Sequence, residues 1–272
     1  MTTRREKADR FMALHHDDGA LLLPNAWDKG SARLFAWLGF DALATTSSGF
    51  AATLGRLDGS VGRDEALAHA ADIVGATDLP VSADLENGYA DDPSGVADTI
   101  AGARDAGLAG CSVEDFTGDS AQPIYELRLA VERVAAAAEE AHRGPARLVL
   151  TARAENHLHG RDDVADTIDR LQRYQEGGAD VLYAPGLVAL DDIRRLVESV
   201  DLPVNVLTYP GVPTVAELAA IGVRRISVGG AFAFAAMSAV VEAATELRDR
   251  GTYGFIERAR AGVVAAHRAF RP

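Results

Sequence analysis

Two acidic residues, Asp84 and Glu86, stand two positions apart in the segment VSADLENGY. Alternate residues of an extended strand point to the same face, so both carboxylates would face one side. Such a pair repels unless a cation or a proton lies between the two groups. Glu114 and Asp115 end a later apolar segment and can add a third carboxylate. An all-oxygen set of this kind suits Mg²⁺ or Mn²⁺, although the same acids could instead cap helices or pair with arginines.

A positive charge, Arg153, stands at the end of the fifth predicted strand, in the segment TARAEN, which is otherwise typical of a buried strand. A charged side chain in a buried strand must be paired with an opposite charge or must bind a ligand. The planar guanidinium group suits a carboxylate or a phosphonate. An internal ion pair with Glu86 or Glu155 is the alternative, and the residue types by themselves leave both possibilities open.

Smaller polar groups add further candidates. Ser47 and Ser48 follow an apolar run in TTSSGF, where backbone N–H groups could hold an oxyanion, although such residues also form ordinary turns and helix caps. Asp58 lies in a loop, where an aspartate is usually solvated, so its role needs independent support. His157 and His159 follow the Arg153 segment and could line a site, although loop histidines are more often exposed.

The remaining histidines and the cysteine are expected to be structural or superficial. The histidines on predicted helices, which we expect at the surface, are His15, His16, His69, His142 and His267. The single cysteine, Cys111, begins an apolar segment and is expected in the core. One cysteine allows no intramolecular disulfide, and the amino terminus shows no secretory pattern, so we expect a cytoplasmic protein.

Eight short apolar runs alternate with helix-like stretches along the chain. Strands that alternate with helices predict a parallel sheet, and eight such units in about 250 residues predict an α/β fold of the (β/α)8 TIM-barrel type. The runs are 21–25, 42–48, 80–86, 111–115, 147–156, 179–186, 203–210 and 224–230. Active sites of such barrels lie at the carboxyl ends of the strands. The polar residues there are Asn25, Ser47, Ser48, Asp84, Glu86, Glu114, Asp115, Arg153, Asn156 and Asn205.

The helices complete a one-domain plan over residues 1–272. A lead helix is predicted over 4–17 and an extra C-terminal helix over 253–270. The helices between them are predicted over 28–39, 62–76, 93–106, 124–142, 161–177, 189–199, 213–221 and 231–249. The extra helix could close the barrel bottom or reach a neighbouring subunit, and the Ala-rich segment 229–244 suggests burial in an oligomer interface.

Composition excludes several functional classes. The net charge of −13 argues against a nucleic-acid partner, which normally meets a basic face. The longest apolar stretch is interrupted by Glu242 before it could span a bilayer, so no membrane partner is expected. The sequence shows no zinc-ligand spacing, phosphate-binding loop or dinucleotide fingerprint. The convergence of carboxylates, an arginine and neutral polar groups instead predicts a metal-assisted enzyme that acts on a small anion.

Four segments in this order and spacing resemble the isocitrate lyase/phosphoenolpyruvate mutase superfamily, with similarity from about residue 20 to about residue 235. They are LLLPNAWDKGSARLFAWLGFDALATTSSGFAATLGRLDG, VSADLENGY, CSVED and TARAEN. The resemblance implies a (β/α)8 barrel that binds Mg²⁺, with Mn²⁺ as an alternative. It also implies cleavage or formation of C–C or P–C bonds in small 2-oxo or 2-hydroxy carboxylates, and a homo-oligomer, either a dimer or a homotetramer.

The resemblance also implies roles for particular residues. It makes Asp84 the main metal carboxylate, with Glu86 and Glu114 completing the acidic cluster, and places Asp58 near the water shell of the metal. Arg153 would grip the substrate carboxylate and the developing oxyanion.

Further residues complete the predicted site. Ser47 and Ser48 would hold the pyruvyl group through their backbone amides, and Asn205 would face the substrate. Tyr89, Asn156 and His157 are added as candidate substrate contacts, and Asp58, Tyr89, His157 or a metal-bound water as the proton donor.

The chain also departs from the superfamily pattern. Isocitrate and methylisocitrate lyases have K-K-C-G-H on the lid after the fourth strand, whereas DFTGDSAQPIYEL here contains no Cys, Lys or His, which argues against those activities. Members that process phosphonates usually have a lysine after the E-D pair, and Phe116 and Thr117 stand there instead. The lyases place a glutamate after the sixth strand, where this chain has Ala184, Pro185 and Gly186.

The sequence therefore predicts a Mg²⁺-dependent lyase or hydrolase that cleaves a C–C bond in a small 2-oxo or 2-hydroxy acid through an enolate-like pyruvyl fragment. One alternative is a phosphoenolpyruvate or carboxyphosphonoenolpyruvate phosphonomutase. From a different functional class, the chain could be a non-catalytic carboxylate binder.

Overall fold

A computed structural model describes residues 2–271 and shows nine parallel strands in one sheet. The strands are β1 (Leu21–Leu23), β2 (Asn25–Ala26), β3 (Leu43–Thr45), β4 (Val81–Asp84), β5 (Gly110–Glu114), β6 (Val149–Arg153), β7 (Val181–Tyr183), β8 (Val204–Leu207) and β9 (Arg225–Ser227). Their order in the sheet is β1-β9-β8-β7-β6-β5-β4-β3-β2. The two ends of this order are consecutive in the chain, so the sheet curls into a barrel.

The strands β1 and β2 share one position in the barrel wall. They are separated by Pro24 alone, β1 pairs with β9, and β2 pairs with β3. Proline has no backbone N–H to donate to a ladder, so it interrupts the strand where the pairing changes sides. Counted in this way, the barrel has the eight strand positions that the alternating apolar runs predict, and the (β/α)8 architecture is confirmed.

Eleven α-helices lie among the described residues. They are α1 (Arg4–Leu14), α2 (Lys29–Trp37), α3 (Ser47–Thr53), α4 (Arg63–Ala76), α5 (Pro93–Asp105), α6 (Leu127–Ala141), α7 (Val164–Glu176), α8 (Leu190–Glu198), α9 (Val215–Ala220), α10 (Ala231–Arg250) and α11 (Ile256–Ala269). Ten of them match predicted helices to within a few residues, so the lead helix and the extra C-terminal helix are confirmed. A short 3₁₀ helix also covers Asn156–His159.

The helix α3 was not expected from the sequence. The Thr46 side chain accepts a hydrogen bond from the backbone N–H of Gly49, at 3.2 Å between N and Oγ1, and thereby caps the helix. Thr, Ser and Gly are typical of turns and of helix N-termini alike. A segment of 7 residues is too short to show a helical period. Only the folded structure therefore distinguishes a turn from a short helix here.

The lead helix closes the bottom of the barrel. Phe11 is fully buried and packs in a cluster with Leu21, Leu23 and Val149 on the inner side of the strands. A Cβ atom on Gly110 would lie 2.7 Å from the Phe11 ring, so this strand position leaves the space that the ring occupies. The larger apolar cluster, which includes the buried Cys111 as expected, forms the layer between the strands and the outer helices.

Two of the five helical histidines contradict the expectation of surface positions. His15 is 1% exposed at the barrel bottom, and His69 is 9% exposed. The His69 ring stacks on Phe50 at 3.8 Å between ring centroids, and its Nε2 lies 3.0 Å from the Trp27 carbonyl oxygen. Both side chains are buried because their helices turn these positions toward the barrel, which residue type does not reveal.

The last two long helices cover little of the barrel. Ala233 is the one residue of α10 that is buried, and α11 contains none. Large apolar side chains exposed on the two helices are Phe232, Phe234, Met237, Val240, Val241, Leu247, Ile256, Val263 and Val264. Across residues 2–271, none of the helices has both the length and the apolar character needed to cross a membrane.

Candidate active site

The carboxyl ends of three adjacent strands bring charged groups together. Asp84 is the last residue of β4, Glu114 of β5 and Arg153 of β6. Glu114 is directly opposite Arg153 in the ladder between β5 and β6. Asp84 is opposite Ser112 in the ladder between β4 and β5. Because all strands run parallel, these ends open onto one mouth of the barrel, as the sequence predicts.

Arg153 is surrounded by carboxylates. Its Nη1 lies 3.0 Å from Asp84 Oδ1, its Nη2 lies 2.9 Å from Glu114 Oε2, and its Nε donates to Glu155 Oε1 at 2.9 Å. The guanidinium carbon also lies 5.1 Å from the centroid of the Tyr183 ring. Of the two ion-pair partners considered from the sequence, Glu155 contacts Arg153 in this way, together with Asp84 and Glu114. Three carboxylates therefore fix the position of the guanidinium group.

Negative charge exceeds positive charge around this arginine. Burial is the main cause that raises the pKa of Glu86 to about 7, and repulsion from Asp84 and Asp58 adds to the shift. Burial is also the main reason why the pKa values of Glu114 and Asp58 lie above their usual range, and neighbouring carboxylates add to both shifts. The Glu86 Oε1 atom is buried and has no hydrogen-bond partner among the described residues. A cation or protons would relieve this excess of negative charge.

The loop after β4 is strained at two positions. Glu86 and Tyr89 have positive φ angles of 47° and 56°, and within residues 2–271 they are the only residues other than glycine in this region. Left-handed backbone is costly for residues with a Cβ atom and often accompanies functional sites. The buried Arg133 donates hydrogen bonds to carbonyl oxygens of this loop, including that of Asp91 at 2.7 Å. The fold therefore fixes the backbone beside the carboxylates.

A small polar pocket of about 180 Å³ opens beside this cluster at the barrel mouth. Among the candidates predicted from the sequence, the pocket is lined by Asn25, Ser47, Ser48, Asp58, Asp84, Arg153 and Asn205. The structure therefore brings the predicted arginine, the main predicted metal carboxylate and the predicted loop aspartate to one cavity. Glu86 and Glu114 do not line it but lie close enough to interact electrostatically with Asp84.

Ser47 and Ser48 stand at the start of α3, on the rim of this pocket. Ser47 donates to Asp84 Oδ2 from its backbone N at 3.3 Å and from its Oγ at 3.0 Å. The Ser48 Oγ lies 3.1 Å from Thr46 Oγ1. In this arrangement Ser47 is bonded to the carboxylate itself, and thus α3 holds Asp84 in place.

Asn25 has a structural role in the barrel wall. Its Oδ1 accepts hydrogen bonds from the backbone N–H groups of Val228 and Gly229 at 3.0 and 2.9 Å. Its Nδ2 donates to the Thr45 carbonyl oxygen at 2.7 Å. The Asn25 side chain therefore connects the end of β3 to the segment that follows β9.

The structure does not bring Asn156 and His157 to the pocket. The Asn156 Nδ2 donates to Asp166 on α7, and His157 Nε2 lies 3.2 Å from Thr167 Oγ1 on the same helix. The 3₁₀ turn that contains both residues directs their side chains toward α7, although the sequence places them just after a strand end. Tyr89 is also absent from the pocket lining. It is half-buried, and partial burial followed by the charges of Glu86 and Asp84 raises the pKa of its hydroxyl.

Asp115 likewise turns away from the mouth. Its Oδ2 accepts from the Tyr174 hydroxyl at 2.6 Å and from Arg170 Nη1 at 3.2 Å, and its Oδ1 accepts from the Glu155 backbone N–H at 2.8 Å. Adjacent residues of a strand point to opposite faces, and therefore Glu114 faces the barrel while Asp115 faces α7. The Asp115 network joins α7 to the strand ends and orients the loop with Glu155.

Sequence reasoning missed several pocket residues. Tyr183 ends β7, Ser227 ends β9, and Arg225 lies two positions below Ser227 on the same face. Arg225 is a charged residue within a buried strand, the same signal that identified Arg153. Arg225 is the first residue of β9, whereas the general rule for barrels places site residues at the carboxyl ends of the strands.

The segment after β5 forms a compact loop held by contacts within itself and with His159. Phe116 pairs with Ile124 in an isolated antiparallel bridge. The Phe116 ring stacks on His159 at 4.1 Å between ring centroids. Thr117 accepts and donates several hydrogen bonds within the segment, including one from its Oγ1 to the Gln122 carbonyl oxygen at 2.7 Å. The segment thus has an aromatic ring and short polar side chains at the position where the resemblance implies Cys, Lys and His in the lyases.

Comparison with known proteins identifies relatives over nearly the whole chain. The family model described as phosphoenolpyruvate phosphomutase matches residues 11–248. The curated oxaloacetate decarboxylase of Chromohalobacter salexigens is 30% identical over 260 residues, covering 88% of this chain and 84% of its own length.

Solved structures show the same relationship. A Burkholderia cenocepacia J2315 protein, described provisionally as a lyase/mutase, is 49% identical with a TM-score of 0.96 and covers 99% of this chain and 97% of its own. An oxaloacetate acetylhydrolase solved with its product oxalate is 26% identical with a TM-score of 0.84, covering 93% of this chain and 90% of its own. The fold, the family model and these identities agree with the resemblance seen in the sequence motifs. The chain is therefore an enzyme that belongs to the phosphoenolpyruvate phosphomutase family, within the phosphoenolpyruvate mutase/isocitrate lyase superfamily.

Proposed function

We propose that this enzyme cleaves a C–C bond in a small 2-oxo or 2-hydroxy carboxylic acid, with Mg²⁺ as its metal and Mn²⁺ as an alternative. The observation that supports this most directly is the pocket in which Arg153 lies among carboxylates with an excess of negative charge. An arginine fork suits a substrate carboxylate, and the surplus of acids suits a divalent cation. The similarity to proteins named oxaloacetate decarboxylase and oxaloacetate acetylhydrolase supports the same substrate class.

The residues present fit a metal of this kind. Among residues 2–271, no three His, Cys, Asp or Glu side chains are already arranged as a ligand set. Mg²⁺ keeps several of its waters, however, so one or two carboxylates suffice for direct contact. Asp84, Glu86 and Glu114 would hold the ion and its waters, and the unpartnered Glu86 Oε1 is an oxygen available to it. A bound Mg²⁺ would polarise the oxygen next to the substrate carboxylate and stabilise negative charge there.

The protein's own groups would bind and orient the substrate. Arg153 would hold the carboxylate through its guanidinium N–H groups, which now donate to protein carboxylates. The backbone N–H of Ser48 would hold the oxygen on which enolate charge develops, a contact of the oxyanion-hole type. The Ser47 backbone N–H would join it only after leaving Asp84 Oδ2, to which it now donates. The Asn205 amide would contact the far end of the pyruvyl group. The narrow pocket limits the substrate to a small acid.

Asp58 is the group that we propose for proton transfer. It belongs to an exposed loop, but its side chain lines the pocket, where partial desolvation and the nearby Asp84 charge raise its pKa. A carboxyl group with a raised pKa can accept or release a proton nearer neutral pH. Of the other protein groups considered, His157 faces α7 and Tyr89 does not line the pocket. After the C–C bond breaks, the proton would pass from the Asp58 carboxyl oxygen to the carbon of the pyruvyl enolate that carried the broken bond, and Asp58 would regain a proton from solvent.

The test is a substrate screen on the whole enzyme with Mg²⁺ and with EDTA. Oxaloacetate and 2-hydroxy diacids would be followed by product analysis, and phosphonopyruvate by phosphorus NMR. We expect metal-dependent cleavage of a C–C bond that Arg153→Ala abolishes. P–C bond formation or loss would favour the phosphonomutase alternative. Binding of oxalate without turnover of any 2-oxo acid would favour a carboxylate binder, and both results would contradict the proposal.

We also propose that the chain forms a homo-oligomer, a dimer or a tetramer. The support is the exposed apolar surface of α10 and α11, which carry nine of the 19 large apolar side chains exposed among the described residues. Contiguous exposed apolar surface usually marks a contact with another chain. Light scattering on the wild type and on Val240→Glu tests it, since Val240 is 68% exposed on α10. A wild-type monomer would contradict the proposal.

A further inference from the structure

Arg225 is a buried arginine with no carboxylate in contact with it among residues 2–271. It lies on β9 inside the barrel, is 4% exposed, and lines the floor of the pocket. Arg153, in contrast, is paired with three carboxylates. An unpaired buried charge is costly unless other groups or a ligand compensate for it. The groups around Arg225 therefore show which interactions compensate for its charge.

The Arg225 guanidinium donates to three neutral acceptors. Its Nε lies 2.9 Å from Asn205 Oδ1, and its Nη2 lies 2.9 Å from Thr151 Oγ1. Its Nη1 lies 3.3 Å from Nε2 of His15, which comes from the end of α1. Arginine has donors only, so each of these partners must present a lone pair to it.

The requirement at His15 fixes the tautomer of that ring. His15 Nδ1 lies 2.7 Å from the Phe11 carbonyl oxygen, which can only accept, so Nδ1 bears the proton. Burial is the main cause that lowers the pKa of His15 to about 3, and the positive charge of Arg225 is the second cause. The ring is therefore neutral near pH 7, and its Nε2 accepts from Arg225. The lead helix thus holds the guanidinium from below.

The requirement at Asn205 fixes the orientation of its amide. Because Oδ1 accepts from Arg225, the Nδ2 group must point the other way, where it donates to Ser227 Oγ at 3.0 Å. Asn205 is 1% exposed and lines the pocket. Within residues 2–271 its second N–H has no acceptor, and therefore a substrate oxygen can take it.

We propose that Arg225 is a positioning residue for the substrate. It locks the Asn205 amide with its N–H group toward the pocket, and it supplies positive charge below an anionic substrate. His15 and Thr151 hold Arg225 in the conformation that does this. The inference rests on the proposed function in one respect, namely that the pocket takes a small carboxylate.

Simple packing does not account for an arginine at position 225. A methionine or leucine at position 225 would fill the barrel interior without burying a charge. The arginine instead fixes a neighbouring amide whose orientation decides whether the pocket offers a donor or an acceptor to the substrate. An oxygen-rich anion needs the donor.

The experiment uses the full chain and two readouts. The first is the side-chain amide resonance of Asn205 in a ¹H–¹⁵N NMR spectrum, assigned by its loss in Asn205→Leu. The second is oxalate affinity in the presence of Mg²⁺, measured by calorimetry. The variants are Arg225→Met and Arg225→Lys, the latter keeping the charge in case the former does not fold. Arg104→Met, which removes an arginine paired with Glu140 on the outer helices, is the matched control.

We expect both Arg225 variants to shift the Asn205 amide resonance, and Arg225→Met to lower oxalate affinity about tenfold. In the double variant with Asn205→Leu, the Arg225→Met change should add little, because the two residues act as a unit. The control should lower thermal stability and leave both readouts unchanged.

Three results would overturn the inference: an unchanged Asn205 resonance, an unchanged oxalate affinity in a wild type that binds oxalate, or fully additive losses. If the wild type itself binds no oxalate, the proposed function fails. The resonance then still decides whether Arg225 orients Asn205.

Discussion

The Arg153 guanidinium and the Asp84 carboxylate are hydrogen-bonded, with 3.0 Å between Nη1 and Oδ1. The residue proposed to bind the substrate carboxylate is thus bonded to the residue proposed to bind the metal. In the absence of ligands, Arg153 and Asp84 form an ion pair, so each charge is compensated by the other. Binding of a cation and an anion together would replace one internal ion pair by two ligand contacts, so we expect metal and substrate to bind with positive coupling.

Removal of Asp84 tests the metal assignment. Asp84→Ala should abolish Mg²⁺ binding, because it removes the carboxylate at the centre of the cluster, while the fold stays intact. Calorimetric titration with Mg²⁺ measures the affinity, and circular dichroism measures the fold. Asp115→Asn, which changes an acid directed toward α7, serves as the control and should retain the metal affinity. Unchanged affinity in Asp84→Ala would refute the assignment.

Removal of Arg153 should cost stability as well as function. Arg153→Met leaves Glu114 and Glu155 buried without their cation, a loss of about 3–5 kcal/mol in the free energy of unfolding. The loss should be smaller at pH 5 than at pH 8, since the two carboxyl groups then bind protons and lose their charge.

Urea denaturation at both pH values measures the effect of Arg153→Met. Arg10→Met, which breaks a surface pair with Asp41, should cost less than about 1 kcal/mol at either pH. Equal losses in the two variants would show that the Arg153 network contributes no more than a surface ion pair.

Glu86 should make the protein less stable as the pH rises. Its pKa is about 7 in the fold against 4.5 in the unfolded chain, so its contribution is fully present below pH 4.5 and is lost as the pH rises through 7. Glu86→Gln removes the ionisation and should raise the free energy of unfolding by about 1–3 kcal/mol at pH 8. Thermal denaturation between pH 5 and pH 8 compares the slopes in metal-free buffer. A variant with the wild-type slope would show that Glu86 titrates normally.

His15 should have the opposite pH dependence. Its pKa is about 3 in the fold against 6.5 in the unfolded chain, so its contribution is present above pH 6.5 and is lost as the pH falls toward 3. Below pH 6.5 this group should remove about 1.4 kcal/mol per pH unit from the free energy of unfolding. His15→Gln, which can still accept from Arg225, should flatten that limb of the profile. His16→Gln is the matched control, since His16 is exposed on the next position of the chain.

The sequence by itself determined the architecture and the centre of the candidate site. Eight apolar runs alternating with helices define a parallel barrel, because each parallel strand needs a crossover. In such a barrel the carboxyl ends of all strands lie at one mouth, so the sequence alone predicts that Asp84, Glu114 and Arg153 are close together. The family resemblance in the same segments agrees with this placement, since its motifs are the strand ends themselves.

The tertiary structure decided where individual side chains point. Asn156 and His157 follow a strand end, but a 3₁₀ turn directs them to α7. Residue spacing does not foretell such a turn, because its direction depends on the helix that packs against it.

The same holds for groups below the strand ends. Arg225 lies two positions before the end of its strand, and it reaches Asn205 on one side and His15 on the other. His15 is 210 positions away in the chain. Contacts of that separation exist only once the barrel has closed and the lead helix has packed beneath it.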